Sequence, residues 1–377
     1  MNRTACRLAG LLLTVALLGG CTTFPASYGT VQPSSQGALI EIPLAGDQAT
    51  GVAVSAQGRI FLTFPRWDKD PLYSVAELLP DGTLVPYPDT GWNRWGKDES
   101  THPEAHFVCV QSVTVDADDN LWILDPASPG FTGGVPGGAK LIKVNLATNT
   151  VERVIHFSDS EVPRLSYLND LRIGPEGRFV YITDSGVGAI VVIDLKTGRV
   201  VRRLEGSPST KAESGYVPVI DGRELRGPDG KVPQINADGI ALDSAGEYLY
   251  YHALVAKTLY RIRTAYLKDF SMPEDRLATH VEKVADTGAV DGMIMGFEDN
   301  LYLTALEDHA VKRYRPDSDI LETVVRDDRL QWPDSLAIAP DGNLYVTASQ
   351  INLMPRFNFG KDKRTIPYRL FRTLLVP

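Results

Sequence analysis

The sequence predicts an all-β chain folded as a six-bladed β-propeller, on three observations. One stretch of about fifteen residues recurs six times, most plainly as SLAIAPDGNLYVTAS from Ser335 to Ser349. Each copy reads as an alternating apolar strand, a polar turn and a second strand, which is a hairpin signature. The second strand carries an aromatic at the same place every time: Phe61, Trp122, Tyr181, Tyr250, Tyr302 and Tyr345. Between the copies lie further strand-like runs with a turn signal in their middle, such as Ala139–Phe157 around Asn149 and Ala189–Glu205 around Thr197-Gly198. A hairpin cannot bury both faces alone, so a recurring one must stack on its neighbours. Two strands plus two strands per repeat make a propeller blade.

Taken in order, the chain opens on a targeting segment. Arg3 and Arg7 precede an apolar run, Leu8–Leu18, too short to serve as a spanning helix. The run closes on Leu18-Gly19-Gly20-Cys21, which resembles the bacterial lipoprotein signal. That resemblance implies cleavage before Cys21 and lipidation there. With Thr22 next, it also implies an exported protein on the outer membrane, facing the periplasm or the cell surface and touching the membrane through its lipid alone. Residues 1–20 are then the signal, 21–36 a Pro/Ser-rich tether that need not fold, and 37–377 the propeller.

Ala38–Leu44 and Tyr368–Val376 are strands without hairpin partners, one near each end of the folded part. They are expected to share a blade and close the ring, which removes an exposed edge. Three insertions break the spacing: Asp89–His106, rich in Trp and charge; Pro126–Gly138, rich in Gly and Pro; and Gly206–Gln234. Insertions of this length are usually functional or disordered. Arg263–Asp269 is the one short helical candidate. Cys109 lies in an apolar run and reads as a buried, inert thiol, with no internal disulfide available to the exported chain.

The formal net charge is −9, which argues against nucleic acid and anionic membrane faces as partners. The chain has no G-x-S-x-G, H-E-x-x-H or CxxC, so serine-hydrolase, zinc-protease and redox-thiol chemistry find no support. The glycine-rich insertion lacks the G-K-[ST] ending of a phosphate cradle.

Candidate chemistry sits where the hairpins begin. The residues just before each first strand are Thr50, Gln111, Asn169, Asp238, Asp291 and Asp334. In a closed ring these converge at one mouth of the central channel. Three carboxylates there repel unless a cation, protons or a cationic ligand compensates. Asn169, Asp238, Asp291 and Asp334, all oxygen ligands, suit Ca2+ or Mg2+. Equally, such residues cap their own backbone where strands start. His252 stands where four copies carry Thr, and serves either as a general acid or base near the mouth or as a buried histidine bonded to backbone.

Several segments resemble the major royal jelly protein/Yellow family. They are FLTFPRW (Phe61–Trp67), VTVDADDNLWILD (Val113–Asp125), VYITDSGVGAIVVID (Val180–Asp194) and LYYHALVAKTLYRIRTAYLKD (Leu249–Asp269). The resemblance implies a secreted six-bladed propeller with a small-molecule pocket at the channel mouth. Insect members bind biogenic amines or are linked to dopachrome conversion. On this reading Trp67, Gln111, Asp125 and Asp184 contact the ligand, His252 moves a proton and Arg66 holds a substrate carboxylate. Where the family carries Ser-Asn-Arg after the last hairpin, this chain has Ala348-Ser349-Gln350. Asn169-Asp170 and Asp238-Gly239 are also similar to metal-ligand positions of gluconolactonase-like propellers, which implies a metal-dependent lactonase as the alternative. Those enzymes need a Glu ahead of the first blade, where this chain offers Asp47, Gln48 and Thr50. A propeller that only binds or scaffolds is the third reading.

Overall fold

Six four-stranded antiparallel sheets account for nearly all the regular structure in the computed structural model, which describes residues 38–96 and 102–375. The leader, Cys21 and the tether lie outside the described residues. Blade 1 comprises Val52–Val54, Ile60–Thr63, Val75–Leu78 and Leu84–Pro86, and blade 2 Ser112–Val115, Asn120–Asp125, Lys140–Asn145 and Thr150–His156. Blade 3 comprises Leu168–Ile173, Phe179–Asp184, Ala189–Asp194 and Arg199–Arg203. Blade 4 runs through Ala237–Leu242, Tyr248–Ala253, Thr258–Arg263 and Glu282–Asp286. Blade 5 is Met293–Met295, Leu301–Ala305, Ala310–Arg315 and Ile320–Arg326. Blade 6 takes Pro333–Ile338, Asn343–Ala348 and Tyr368–Leu374, and is completed by Ile40–Leu44 from the other end of the chain. The two end strands pair from Ile40 opposite Arg372 to Leu44 opposite Tyr368, so the ring closes as its sequence requires.

The first strand of every blade is innermost and touches the first strand of the blades on either side. Each recurrent aromatic packs into the interface with the following blade. Phe61 of blade 1 lies with Val113 and Leu121 of blade 2, and Tyr181 of blade 3 with Ile240 and Leu249 of blade 4. Tyr345 closes the circle against Val52 and Leu62. These aromatics are inter-blade core, which is why the repeat holds them in place. The Asp341-Gly342 turn works because Gly342 takes φ 82°, a left-handed conformation that costs glycine nothing.

A second repeated device joins the inner strands. Thr63 Oγ1 donates to the Gln111 carbonyl (2.8 Å), Thr183 Oγ1 to the Asp238 carbonyl (2.5 Å) and Thr347 Oγ1 to the Thr50 carbonyl (2.6 Å). Each donor lies in the second strand of one blade and each acceptor starts the next. The same hydroxyls accept backbone N–H groups of their own hairpin, as Thr63 does from Gly51 and Thr347 from Ser335. Close approach at these points leaves no room for a Cβ: one added to Gly239 meets the Asp291 carbonyl at 2.3 Å, and one added to Gly292 meets the Asp334 carbonyl at 2.2 Å.

The expected helix is present at Thr264–Lys268, and a second, Glu274–Ala278, follows it. The Gly206–Gln234 insertion folds into a short hairpin, Val219–Ile220 with Arg223–Glu224. Its Ile220 and Leu225 pack with Leu254, Trp332 and Phe357. Cys109 is fully buried, and burial pushes its thiol up to about 12, so it is inert as expected.

Gly292→Ala is expected to destabilise the chain by about 1–3 kcal/mol, the usual cost of overpacking. A lowered urea midpoint with an unchanged far-ultraviolet spectrum is the expected result; an unchanged midpoint would show that the inner strands separate freely.

Candidate functional site

The residues that start the hairpins do gather at one mouth of the channel. Gln111, Asn169, Asp238, Asp291 and Asp334 line a single cavity of about 330 Å³. Thr50 does not; it is buried against Thr63 and the Gln111 carbonyl. In blades 3, 4 and 6 the pairing of first and second strands shifts register across Asn169-Asp170, Asp238-Gly239 and Asp334-Ser335. A bulge of this kind re-aims a side chain away from the sheet faces. Here it sends three of the ring residues into the cavity.

The walls are aromatic. Phe131 stacks on Tyr167 (centroids 5.3 Å apart) and lies against Trp67 (5.1 Å). Trp67 Nε1 donates to the Tyr167 hydroxyl (2.7 Å), which donates to Gln111 Oε1 (2.9 Å). Trp332 is fully buried and its indole N–H donates to Asp291 Oδ2 at 2.6 Å. Phe131 (φ 59°), Trp332 (φ 55°) and Gln350 (φ 57°) all take the left-handed conformation that side chains of this size avoid. Such strain gathers at working sites, held by the surrounding bonds. The Trp332 carbonyl, for instance, accepts the Ser349 N–H at 3.1 Å.

The floor is a group of buried carboxyls. Asp238 takes a hydrogen bond from Asn169 Nδ2 (2.8 Å) and is bonded to Asp291. Burial, then the neighbouring carboxylates, hold Asp291 and Asp334 well above the ordinary carboxylate range. Burial does the same for Asp238, against the opposing pull of its bond to Asp291. Like charges this close cannot all ionise, so the group keeps protons that isolated carboxylates would lose. Asp334 Oδ2 is buried without a hydrogen-bond partner, an acceptor waiting for a donor.

The sequence profile described as major royal jelly protein matches residues 108–372. The chain belongs to that family. No curated protein matches the sequence. Among solved structures, a luciferin-regenerating enzyme is similar with a TM-score of 0.54 at 11% identity, over 90% of this chain and 96% of that one. A gluconolactonase from Xanthomonas campestris gives 0.53 at 12% identity, over 92% and 99%. A putative gluconolactonase gives 0.53 at 13% identity, over 91% and 93%. At these identities the likeness is one of fold.

The residues expected to contact ligand divide between the cavity and its supports. Trp67 and Gln111 line the cavity. Asp125 and Asp184, expected to contact ligand, are instead fully buried struts. Asp125 accepts the N–H groups of Val108, Cys109 and Ala127 and pairs with Lys140 Nζ at 2.9 Å. Asp184 accepts the N–H groups of Tyr167, Gly186 and Val187 and pairs with Arg202 at 2.7 Å. Each fixes the segment that leads into a ring residue, Gln111 or Asn169. Arg66 is also turned away from the cavity. Its guanidinium lies over Trp95 (5.0 Å), donates to the Val108 and Trp95 carbonyls and pairs with Asp70.

His252 does not reach the cavity either. It is fully buried, with Nδ1 2.6 Å from its neighbour's carbonyl, Ala253, and Nε2 3.0 Å from Thr287 Oγ1. Burial lowers it to about 4, which keeps it neutral at physiological pH. It occupies the place of the clasping threonines, and its bonds serve the same structural end within blade 4.

The floor residues offer oxygen atoms of the kind that hold Ca2+ or Mg2+. As arranged they do not fit such an ion. Among the described residues no three His, Cys, Asp or Glu side chains converge as a metal group. Asn169 directs its amide hydrogens, not its carbonyl, at Asp238. Ahead of blade 1, Asp47 pairs with Lys69 (2.6 Å) and Gln48 donates to the Ser349 carbonyl (2.6 Å).

Sequence reasoning missed Phe131, Tyr167, Trp332, Ile351, Met354, Arg356 and Phe357, all of which line the cavity. For Tyr167 and Trp332 a signal existed. Each lies two residues ahead of a ring position, in the segment that leads into the innermost strand of its blade.

The raised carboxyls give a pH test. In the folded chain Asp291 keeps its proton above the ordinary 3.8, whereas in the unfolded chain it ionises there. Stability is therefore lost as pH rises from about 4. Asp291→Asn, whose amide oxygen still accepts from Trp332, should match the native thermal midpoint near pH 4 and exceed it at pH 8 by the equivalent of about 1.4 kcal/mol or more. An equal difference at both values would show that no proton is held there.

Proposed function

We propose that this chain is an exported, lipid-anchored propeller that binds a small aromatic amine in the cavity at the channel mouth. One observation carries the reading: three buried carboxyls, one with an unpartnered oxygen, form the floor of an aromatic-walled cavity of about 330 Å³. An ammonium group at that floor supplies the charge that lets a carboxyl ionise, and donors for the free Asp334 oxygen. Trp67, Phe131, Tyr167 and Trp332 offer ring faces for stacking and for the cation itself. The volume suits a ligand of one or two rings. Attachment rests on Cys21, where the resemblance of Leu18-Gly19-Gly20-Cys21 to the bacterial lipoprotein signal implies lipidation.

An isomerase of the dopachrome type needs a group in the cavity that takes a proton from one carbon and returns it to another. His252 is out of reach, so that version assigns the transfer to the Asp238–Asp291 pair, which holds an exchangeable proton against the cavity.

Titration calorimetry with phenethylamine at neutral pH tests the binding reading. Ammonium binding should release protons from the floor, read as a dependence of the apparent enthalpy on buffer ionisation. Asp291→Asn should weaken binding at least tenfold and reduce that release. Equally tight binding of phenethyl alcohol would remove the amine reading. A thermal midpoint lowered by chelator and restored by Ca2+ would replace it with the lactonase.

A further inference from the structure

The cavity's acidic floor has a counterpart at its rim. Among the described residues that line it, Arg356 is the one cation. It sits in the turn Pro355–Phe357, which is firmly rooted. Asn358 Nδ2 donates to the Asn352 (2.8 Å) and Met354 (2.9 Å) carbonyls, and Met354 and Phe357 are buried in the cluster that holds Trp332. The guanidinium lies over Phe131 at 4.2 Å and over Phe357 at 5.3 Å from their centroids.

Its surroundings differ from those of Arg66 and Arg202, two other arginines near the mouth. Arg66 and Arg202 are each committed to a carboxylate. Arg356 has no ion pair or hydrogen bond among the described residues; its faces rest on rings while its N–H edge stays open. Two aromatic faces hold the guanidinium plane and leave the fork of donors presented. That fork matches the two oxygens of a carboxylate. The floor carboxyls are almost wholly buried, whereas Arg356 is exposed, so acid and base mark the deep and shallow ends of one cavity.

We infer that Arg356 is the oxyanion-recognising residue of this cavity, and that its ligand is an aromatic zwitterion with an ammonium at one end and a carboxylate or similar oxyanion at the other. The inference rests on the amine-binding reading and narrows it. The ammonium enters first, towards Asp238, Asp291 and Asp334. The ring lies against the wall that Trp67, Phe131 and Tyr167 share, and the oxyanion stays at the rim against Arg356. A plain amine leaves the guanidinium unpaired, and a plain aromatic acid leaves the floor uncompensated. An amino acid with both charges on one carbon meets the two ends less well than one whose ring separates them.

The experiment compares phenethylamine, 4-(2-aminoethyl)benzoate and 4-ethylbenzoate by calorimetry on the native chain, Arg356→Gln, Arg356→Lys and Asp291→Asn. The native chain should bind 4-(2-aminoethyl)benzoate at least tenfold tighter than phenethylamine, and 4-ethylbenzoate weakly. Arg356→Gln should bring that ratio close to one while phenethylamine affinity is kept, which also shows that the cavity remains folded. Arg356→Lys should restore part of the ratio, and Asp291→Asn should weaken both amines. Equal affinities in the native chain, or a preference that survives Arg356→Gln, would overturn the role of Arg356 and leave amine binding intact. Failure of both amines to bind the native chain would end both readings.

Discussion

The whole arrangement depends on how closely six inner strands can approach one axis. A threonine hydroxyl of one blade reaching the backbone carbonyl that starts the next, as from Thr183 to Asp238, sets that distance. Around the same ring the inner strands lie too close at Gly239 and Gly292 to admit a Cβ. The contact is made by backbone, so the ring side chains are free to vary while their positions are not. Gln111, Asn169, Asp238, Asp291 and Asp334 differ in charge yet enter the same cavity. The fold thus supplies a fixed ring of anchor points, and chemistry is written on it by substitution.

That division explains what could be read from sequence. The blades were legible because every copy repeats one alternation and one inter-blade aromatic. The ring was legible because it stands at a fixed place in that repeat. Its walls were not. Phe131 comes from an insertion and Arg356 from a turn after the last hairpin, and neither belongs to a period. The misassigned residues fail for another reason. Asp125, Asp184, Arg66 and His252 have the side chains of a working site and lie near the mouth. Their partners, however, are local backbone groups and distant ions such as Lys140 and Arg202. A charged side chain bound to three amides is a strut, and only folding shows the amides.

The floor joins opposite demands. A buried, partly protonated carboxyl group opposes folding above the ordinary carboxylate range, yet the same unsatisfied state is what the proposed cationic ligand would relieve. Asp334, with a buried oxygen lacking a partner, and Trp332, held in a strained conformation beside Asp291, concentrate that tension at one point. Away from the floor, buried Asp125 is held by Lys140 and three backbone N–H groups. The contrast separates a site from a scaffold.

Trp332 also makes the cavity visible. Two of the chain's five tryptophans, Trp67 and Trp332, line it, and the Trp332 indole N–H bonds directly to a floor carboxyl. An indole's excited state moves charge across its rings, so its emission energy follows the electric field around it. The bond from Trp332 to Asp291 therefore couples the protein's own fluorescence to the ionisation of the floor. A change of charge that no diffraction experiment sees as a moved atom is carried outward as colour.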